Sequence, residues 1–562
     1  MKKGAALIVF WIVFGAVQST FACTNFLVTP GASVNGSSMI TYAADAHVLY
    51  GELYFWPAAD YPVGSMLDIR EWDTNKYLGQ IRQVRHTYSV VGNMNEHQVA
   101  IGETTYGGRP ELHDSTGIID YGSLMYVTLQ RARSAREAIN IMGDLVKEYG
   151  YCSSGESFSI SDPNEVWIME LIGKGTEMVT EGGRTYNKHK GAVWVAVKIP
   201  DGYVSGHANQ ARIQQFPLDD PENCLYAPDV ISFAREMGYY EGSDEDFSFS
   251  DTYAPVDFGG ARWCEIRVWS FFKEVNSHMD QYFEYVKGED LENRMPLYIK
   301  PERKISNHDL MNFMRDHLEG TELDMRKDAG AGPFGLPYRW RPLTWEYDGK
   351  MYCNERATAT QQTGFSFVAE SRNGLPDIIG GIFWFGIDDA AATTYVPMYC
   401  GMTRVPETYA VGNGDLLTYS DNSAFWTFAF VSNFSYLRYN VMMEDVIKVQ
   451  TELEKKYIDE VTAIDAAAAA MYEVNADMAR EFITDYSVRT GNYTVERYKE
   501  LGEFLLVKYI DGNIKKEENG VFLRSEDGYP LSPDQPGYSE QWKEMVVKDT
   551  GKKLRMPKQD AH

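Results

Sequence analysis

Apolar and polar positions alternate along this chain with two different periods. Near the start, Thr24-Asn25-Phe26-Leu27-Val28 and Met39-Ile40-Thr41-Tyr42-Ala43 are β-branched and aromatic runs on either side of Val34-Asn35-Gly36-Ser37, the pattern of two strands joined by a hairpin turn. Further strands are expected at Ser89 to Val91 and Val99 to Thr104, separated by the polar stretch Asn93 to His97. The period then lengthens. A helical block begins near Tyr121, and Ser134 with Glu137 has the spacing of a capping box that starts a second helix through Tyr149. Its Ala138, Ile141, Met142, Leu145 and Val146 fall on one face.

Beyond it, Ser157 to Ile160 and Val166 to Leu171 read as strands joined by the Asp162-Pro163-Asn164 turn, followed by Val193 to Ile199. Strands before and after a helical pair predict a sheet with helices packed on its faces. Arg262 to Tyr285 is expected to be helical, and Ser306 to cap a helix through His317. Phe365 to Val368, Ile378 to Phe385 and Thr394 to Met398 form a second set of strands. Glu444 to Thr484, with its Ala466 to Ala470 run, predicts one long helical region, and the last ~25 residues, rich in Lys, Pro and Asp, a loosely held tail.

Composition narrows the function classes. With 562 residues and 44% hydrophobic content the chain can bury a large core. A formal charge of −27 repels phosphate backbones and anionic lipid, so nucleic acid is not an expected partner. The six cysteines form no CxxC pair, and the ten histidines no HExxH, so neither a metal site nor a cofactor is expected. Gly330-Ala331-Gly332-Pro333-Phe334-Gly335 has the letters GxGxxG, but no strand precedes it, so it reads as a glycine-rich loop. The acidic Ser243 to Asp251 stretch lacks EF-hand spacing and reads as a solvated loop.

The chain opens on a secretory-type leader: Lys2 and Lys3, an apolar run from Ala5 to Val17, then Thr20-Phe21-Ala22 as a cleavage site. The run is shorter than the ~18 residues a membrane span needs. Residues 1–22 are therefore expected to be removed, giving an exported, periplasmic or extracellular protein that begins at Cys23 and has no transmembrane segment. Such a residue carries a thiol and a free α-amino group together. A lipoprotein, lipidated on the same thiol, is the alternative. Against it stand Thr20 where an aliphatic residue is usual, bulky Phe21, and a strand beginning at once where a polar tether is expected.

Cys23-Thr24-Asn25-Phe26-Leu27-Val28, the Asn35-Gly36-Ser37 turn, and Met39-Ile40 leading to Asp45 resemble the start of N-terminal-nucleophile hydrolases, specifically the cysteine dipeptidase family that includes the secernins. Gly102-Glu103-Thr104-Thr105, Ala132 to Ala138, Gly155-Glu156-Ser157, Asp162 to Trp167, Ala208-Asn209-Gln210 and Ser423 to Trp426 continue the likeness, which covers roughly residues 23 to 480. The resemblance implies an α+β fold, a four-layer αββα sandwich with two stacked antiparallel sheets between helical layers. It also implies hydrolysis of dipeptides with a free amino terminus, so small peptides are the expected partners. Residues 481–562 are left as an extension of unassigned role. The pattern departs at Tyr42, where relatives usually have arginine three residues before the aspartate.

The chemistry fits these residues. A thiol with a pKa of ~8.5 is only slightly ionised at neutral pH, whereas an α-amino group at ~7.7–8 can accept its proton. Cys23 thus contains its own base, and no partner histidine is required. Asp45, just past the returning strand, can hold and orient the amino group. The resemblance selects Asn209 as donor to the tetrahedral oxyanion. Arg262, with Arg267 as its rival, can stabilise negative charge near the nucleophile, and Glu103 can meet a substrate ammonium. An amidase for N-acyl amino acids, bile-salt conjugates or penicillin-type amides, using the same nucleophile, is the other enzymatic reading. A lipid-anchored non-catalytic surface protein is the reading of a different class.

Overall fold

The computed structural model describes residues 23–557. The predicted leader, 1–22, lies outside them. The opening strand Asn25–Val28 pairs antiparallel with Ser38–Asp45 in the register Leu27↔Ile40, and an isolated Thr24↔Ala43 bridge extends it. The connection is longer than a tight two-residue turn: a 3-10 turn, Pro30–Ala32, precedes Asn35, whose side chain accepts from the Ser37 N–H, and Gly36 has φ +77°.

Among the described residues, seven strands make one sheet in the order Tyr298–Ile299, Val204–His207, Asn25–Val28, Ser38–Asp45, Thr363–Ser371, Gly381–Ile387, Val396–Tyr399. A second, of eight, runs Cys224–Tyr226, Ala192–Lys198, Val166–Gly173, Gly155–Ser161, Ala100–Gly107, Met94–Asn95, Val90–Val91, Phe55–Trp56. All pairings within them are antiparallel. The opening hairpin packs against Ala100–Gly107 and Gly155–Ser161, stacking one sheet on the other. Tyr121–Leu129 and Ala135–Tyr149 cover the outer face of the eight-stranded sheet, while Ile266–Val275, Asn307–Phe313, Ala424–Ser435 and Ala476–Tyr509 pack on the other. This is the expected αββα sandwich.

The elements differ from the expectations where a cap or a bend intervenes. Ser134 accepts from the Glu137 N–H and starts its helix as predicted. The helix expected over 262–285 is broken: a π-helical turn Gly260–Glu265 leads into Ile266–Val275, which ends at Asn276, and Asn276 caps the next turn by accepting from His278. Ser306 caps a helix that ends at Phe313, short of His317. Ile378 to Gly380 is the end of a helical turn, so the strand begins at Gly381.

The long helical region is a hairpin of two helices, Tyr439–Tyr472 and Ala476–Tyr509, separated where Asn475 accepts from the Asp477 and Met478 N–H groups. The second helix packs on Val396–Tyr399, so residue 480 falls inside a core element rather than at a boundary. The tail includes a helix, Glu540–Thr550, capped by Ser539 and tethered by Gln541 Nε2 donating to the Lys327 carbonyl at 2.7 Å. The glycine-rich loop is a short 3-10 turn, Ala329–Phe334. Among the described residues, no helix is long and apolar enough to cross a membrane.

Candidate active site

Cys23 stands at the head of the opening strand, where the two sheets meet. Asn25 makes the approach possible: its Nδ2 donates to the Glu103 carbonyl at 2.7 Å, tying the first strand to Ala100–Gly107. A Cβ on Gly102 would lie 2.3 Å from Asn25 Oδ1 and 3.3 Å from Tyr42 Cβ, so only glycine fits there. Cys23 is 4% exposed. Its Sγ lies 3.7 Å from the Tyr42 hydroxyl and 3.7 Å from Glu103 Oε1, and the Tyr42 hydroxyl donates to that same oxygen at 2.5 Å. Tyr42 is held between Phe365 and Phe367, both edge-on at 5.7 Å.

Burial pushes the Cys23 thiol well above its ordinary range, and the charges of Glu103 and Asp45 add to it. The Asp45 main-chain N–H and the Tyr42 hydroxyl pull the other way. The resting thiol is therefore neutral and needs a base. The buried imidazole of His207 does not supply one. His207 is fixed between Thr104 Oγ1 and Ser159 Oγ, each 2.7 Å away, and burial lowers its pKa to about 3.

The register places Asp45 diagonally beside Cys23. Its carboxylate is oriented by Arg356 Nη2 at 2.5 Å and Thr363 Oγ1 at 2.6 Å; burial raises its pKa and Arg356 opposes the rise. Asn209 follows the Val204–His207 strand in the left-handed region, φ +60°, a conformation Asn tolerates better than most residues. Its Nδ2 donates to the Thr105 carbonyl at 2.7 Å, leaving the second amide hydrogen to donate elsewhere, and its Oδ1 accepts from Arg267 at 2.9 Å. The loop is fixed from below, where Glu170 accepts from the Arg212 and Ile213 N–H groups and Arg212 pairs with Glu265 at 2.9 Å.

Of the two arginines, the structure brings Arg267 to Cys23. Buried on Ile266–Val275, it donates to the Cys23 carbonyl at 2.5 Å, Thr24 Oγ1 at 2.8 Å and the Ala208 carbonyl at 3.1 Å. Arg262, on the preceding π-helical turn, pairs instead with Glu355 at 2.5 Å. The five-residue offset puts the two side chains in different surroundings. Burial lowers the Arg267 pKa to about 10, which still leaves it charged at neutral pH.

Glu103 is 2% and Glu156 1% exposed. Thr105 pairs across the sheet with Glu156 and donates to its Oε1 at 2.8 Å, which sets Glu103 one diagonal away on the same face. Burial raises Glu103 to about 7 and Glu156 well above the carboxylate range, the Glu103 charge adding to the latter. Sequence reasoning missed Arg356 and Thr363. Both hold Asp45 from segments more than three hundred residues away, and nothing in their local pattern marks them.

The sequence pattern of Peptidase family C69 matches residues 22–452, most of the chain. The chain belongs to peptidase family C69. It is an enzyme, a cysteine-type peptidase. Among curated proteins, this C69 chain is 26% identical to a probable dipeptidase of Salmonella dublin over 72% of its own length and 86% of the relative's. It is 25% identical to a probable dipeptidase of Latilactobacillus sakei over 69% and 76%, and 20% identical to probable dipeptidase B of Streptococcus pyogenes serotype M1 over 89% and 96%. Among solved structures, a penicillin V acylase from Agrobacterium tumefaciens is similar over 67% of this chain and 86% of its own, at 11% identity and a TM-score of 0.25.

Proposed function

We propose that this C69 peptidase is exported, begins at Cys23 once residues 1–22 are removed, and hydrolyses dipeptides that carry a free α-ammonium. The names of its relatives support the substrate class. The observation that carries the reading is Glu103, a buried carboxyl whose Oε1 lies 3.7 Å from the Cys23 sulfur. In a dipeptide the ammonium nitrogen is two bonds of about 1.5 Å from the carbonyl carbon under attack. A cation so close to the reacting carbon needs an anion beside the nucleophile. An N-acyl substrate puts an uncharged group there and would leave the carboxylate buried without a partner.

The steps follow from the residues. The free α-amine of Cys23 takes the thiol proton, and the sulfur adds to the carbonyl carbon. The oxyanion accepts a hydrogen bond from the free amide hydrogen of Asn209. Arg267 grips the Cys23 carbonyl and Asn209 Oδ1 together, which fixes nucleophile and donor relative to each other. Asp45 keeps a carboxylate beside the amine. Collapse breaks the C–N bond, and the departing amino acid takes the proton back from the α-ammonium. Water then attacks the thioester with the amine again as base, releasing the first amino acid and the thiol.

A lipid-modified Cys23 fits poorly, because the thiol is 4% exposed and turned toward Tyr42 and Glu103. The test compares L-Ala-L-Ala with its N-acetyl form on protein beginning at Cys23. Cleavage of the unblocked peptide with at least about 100-fold higher kcat/KM is expected. Equal or better cleavage of the acetyl form would move the protein to the amidase reading.

A further inference from the structure

We propose that Glu103 and Glu156 act as a one-proton carboxyl pair that accepts the substrate's α-ammonium in exchange for that proton. This rests on the dipeptide reading and makes Glu156 a specificity-determining residue alongside Glu103.

Both carboxyls are almost fully buried, and each has one oxygen, Oε2, without a hydrogen-bond partner. The cross-strand diagonal brings the two groups within hydrogen-bonding reach of each other. Two carboxylates so close and so dry do not both ionise. One proton between them satisfies both orphan oxygens. The remaining partners decide which member holds the charge: Glu103 Oε1 receives the Tyr42 hydroxyl and faces the Cys23 thiol, whereas Glu156 Oε1 receives only the Thr105 hydroxyl. Glu103 is the ionised member and Glu156 the acid, and burial, helped by the Glu103 charge beside it, pushes the Glu156 carboxyl up.

The titratable groups that act on the pair are Cys23 and Tyr42 from the opening hairpin, Asp73 from the turn between the strands Met66–Arg70 and Tyr77–Arg82, Tyr121 at the start of its helix, Tyr106 from the same strand as Glu103, and Tyr151. All are acids, phenols or a thiol; the Cys23 α-ammonium of the proposed mechanism is the partner of Asp45 and not of the pair. A cation that arrives with the substrate is what permits both carboxyls to ionise. An ammonium has three donors, and the two orphan oxygens are acceptors for two of them. The exchange balances: the neutral acid of Glu156, the Glu103 carboxylate and the ammonium become two carboxylates flanking the ammonium, with one proton released to solvent. Tyr42 donates a hydrogen bond to Glu103 without adding a charge that would compete with the ammonium.

The test is calorimetric titration of L-Ala-L-Ala into the Cys23→Ala protein beginning at residue 23, at pH 7.5, where Glu103 is mostly ionised, in buffers of different ionisation enthalpy. Release of about one proton per dipeptide is expected. The further change Glu156→Gln should weaken binding about tenfold, abolish the release and flatten the dependence of affinity on pH, because the amide still donates to Glu103 but has no proton to give up. Binding without proton release overturns the exchange and leaves the dipeptide reading intact. So does a Glu156→Gln protein that binds and releases as before. Equal binding of N-acetyl-L-Ala-L-Ala would instead overturn the dipeptide reading. If Glu156→Gln does not fold, proton release by the Cys23→Ala protein alone decides.

Discussion

The two faces of the Ala100–Gly107 strand each serve a buried polar cluster, and the clusters are built on opposite principles. On one face Thr104 meets His207, whose other nitrogen meets Ser159, so each ring nitrogen has a partner at 2.7 Å. On the other, Glu103 and Thr105 meet Glu156, and two carboxyl oxygens have no partner beyond the proton that we propose they share. A fully partnered network adds rigidity, whereas one that depends on a single exchangeable proton is open to a ligand that replaces it. The first cluster fastens the two sheets. The second is shaped for a cation that is not part of the chain.

Substitutions on each side should separate the two roles. The largest effect is expected at the nucleophile that the second cluster serves: Cys23→Ala should leave no measurable turnover while the thermal midpoint stays within a few degrees, checked by peptide hydrolysis and calorimetry. Residual turnover above about 1% would show another nucleophile at work. Asn209→Gly keeps the left-handed backbone and removes the donor, so kcat should fall by about 10²–10³ with KM little changed. A change in KM alone would make Asn209 a binding residue instead.

Glu103→Gln should lower kcat/KM for L-Ala-L-Ala by about 10–100-fold and leave the acetyl form nearly unaffected, erasing the selectivity. In the parent protein, kcat/KM for the free dipeptide should rise with pH as Glu103, near 7, and the Cys23 α-amine, at ~7.7–8, lose their protons, and fall above ~8 as the substrate amine loses its own.

Stability should respond to pH with opposite signs on the two faces. His207 is held neutral when folded, its pKa lowered to about 3, so the unfolded chain binds the extra proton and stability is lost as pH falls from about 6.5 toward 3. The Glu103 pKa is raised to about 7, so the folded chain holds the extra proton and stability is lost as pH rises from about 4.5 toward 7. Glu103→Gln should therefore raise the thermal midpoint more at pH 8 than at pH 5. His207→Phe should cost about 1–3 kcal/mol by stranding the Thr104 and Ser159 hydroxyls, with kcat within a few-fold of the parent. The smallest effect is expected at Arg262→Ala, less than about threefold in kcat/KM, because its partner is Glu355 and not the nucleophile.

Much of this was legible in the sequence because it is local. The opening hairpin, the capped helix after Ser134 and the chemistry of a terminal cysteine each follow from neighbouring residues. Asn209 and the fold itself came from resemblance, since no periodicity distinguishes a loop asparagine from a turn residue. What the sequence left ambiguous depended on distant partners. Arg262 and Arg267 are equivalent on paper, and only the π-helical turn and the Cys23 carbonyl separate them. Asp45 was recognisable as a strand-end carboxylate, but its orientation by Arg356 and Thr363 depends on segments that meet it through sheet pairing. The helix hairpin was read as one element because alanines continue a helix well, and only the Asn475 cap interrupts it.

The central claim is that Cys23 is both nucleophile and base, and two otherwise identical proteins test it most directly, one beginning at Cys23 and one retaining Ala22 before it. Their kcat for L-Ala-L-Ala is the measurement, with thiol titration to show that both carry the same reactive sulfur. The protein beginning at Cys23 should turn over, and the one retaining Ala22 should be slower by at least about 10³-fold, since its α-nitrogen is an amide and cannot accept the thiol proton. Comparable turnover by both would contradict the account, for the base would then lie elsewhere.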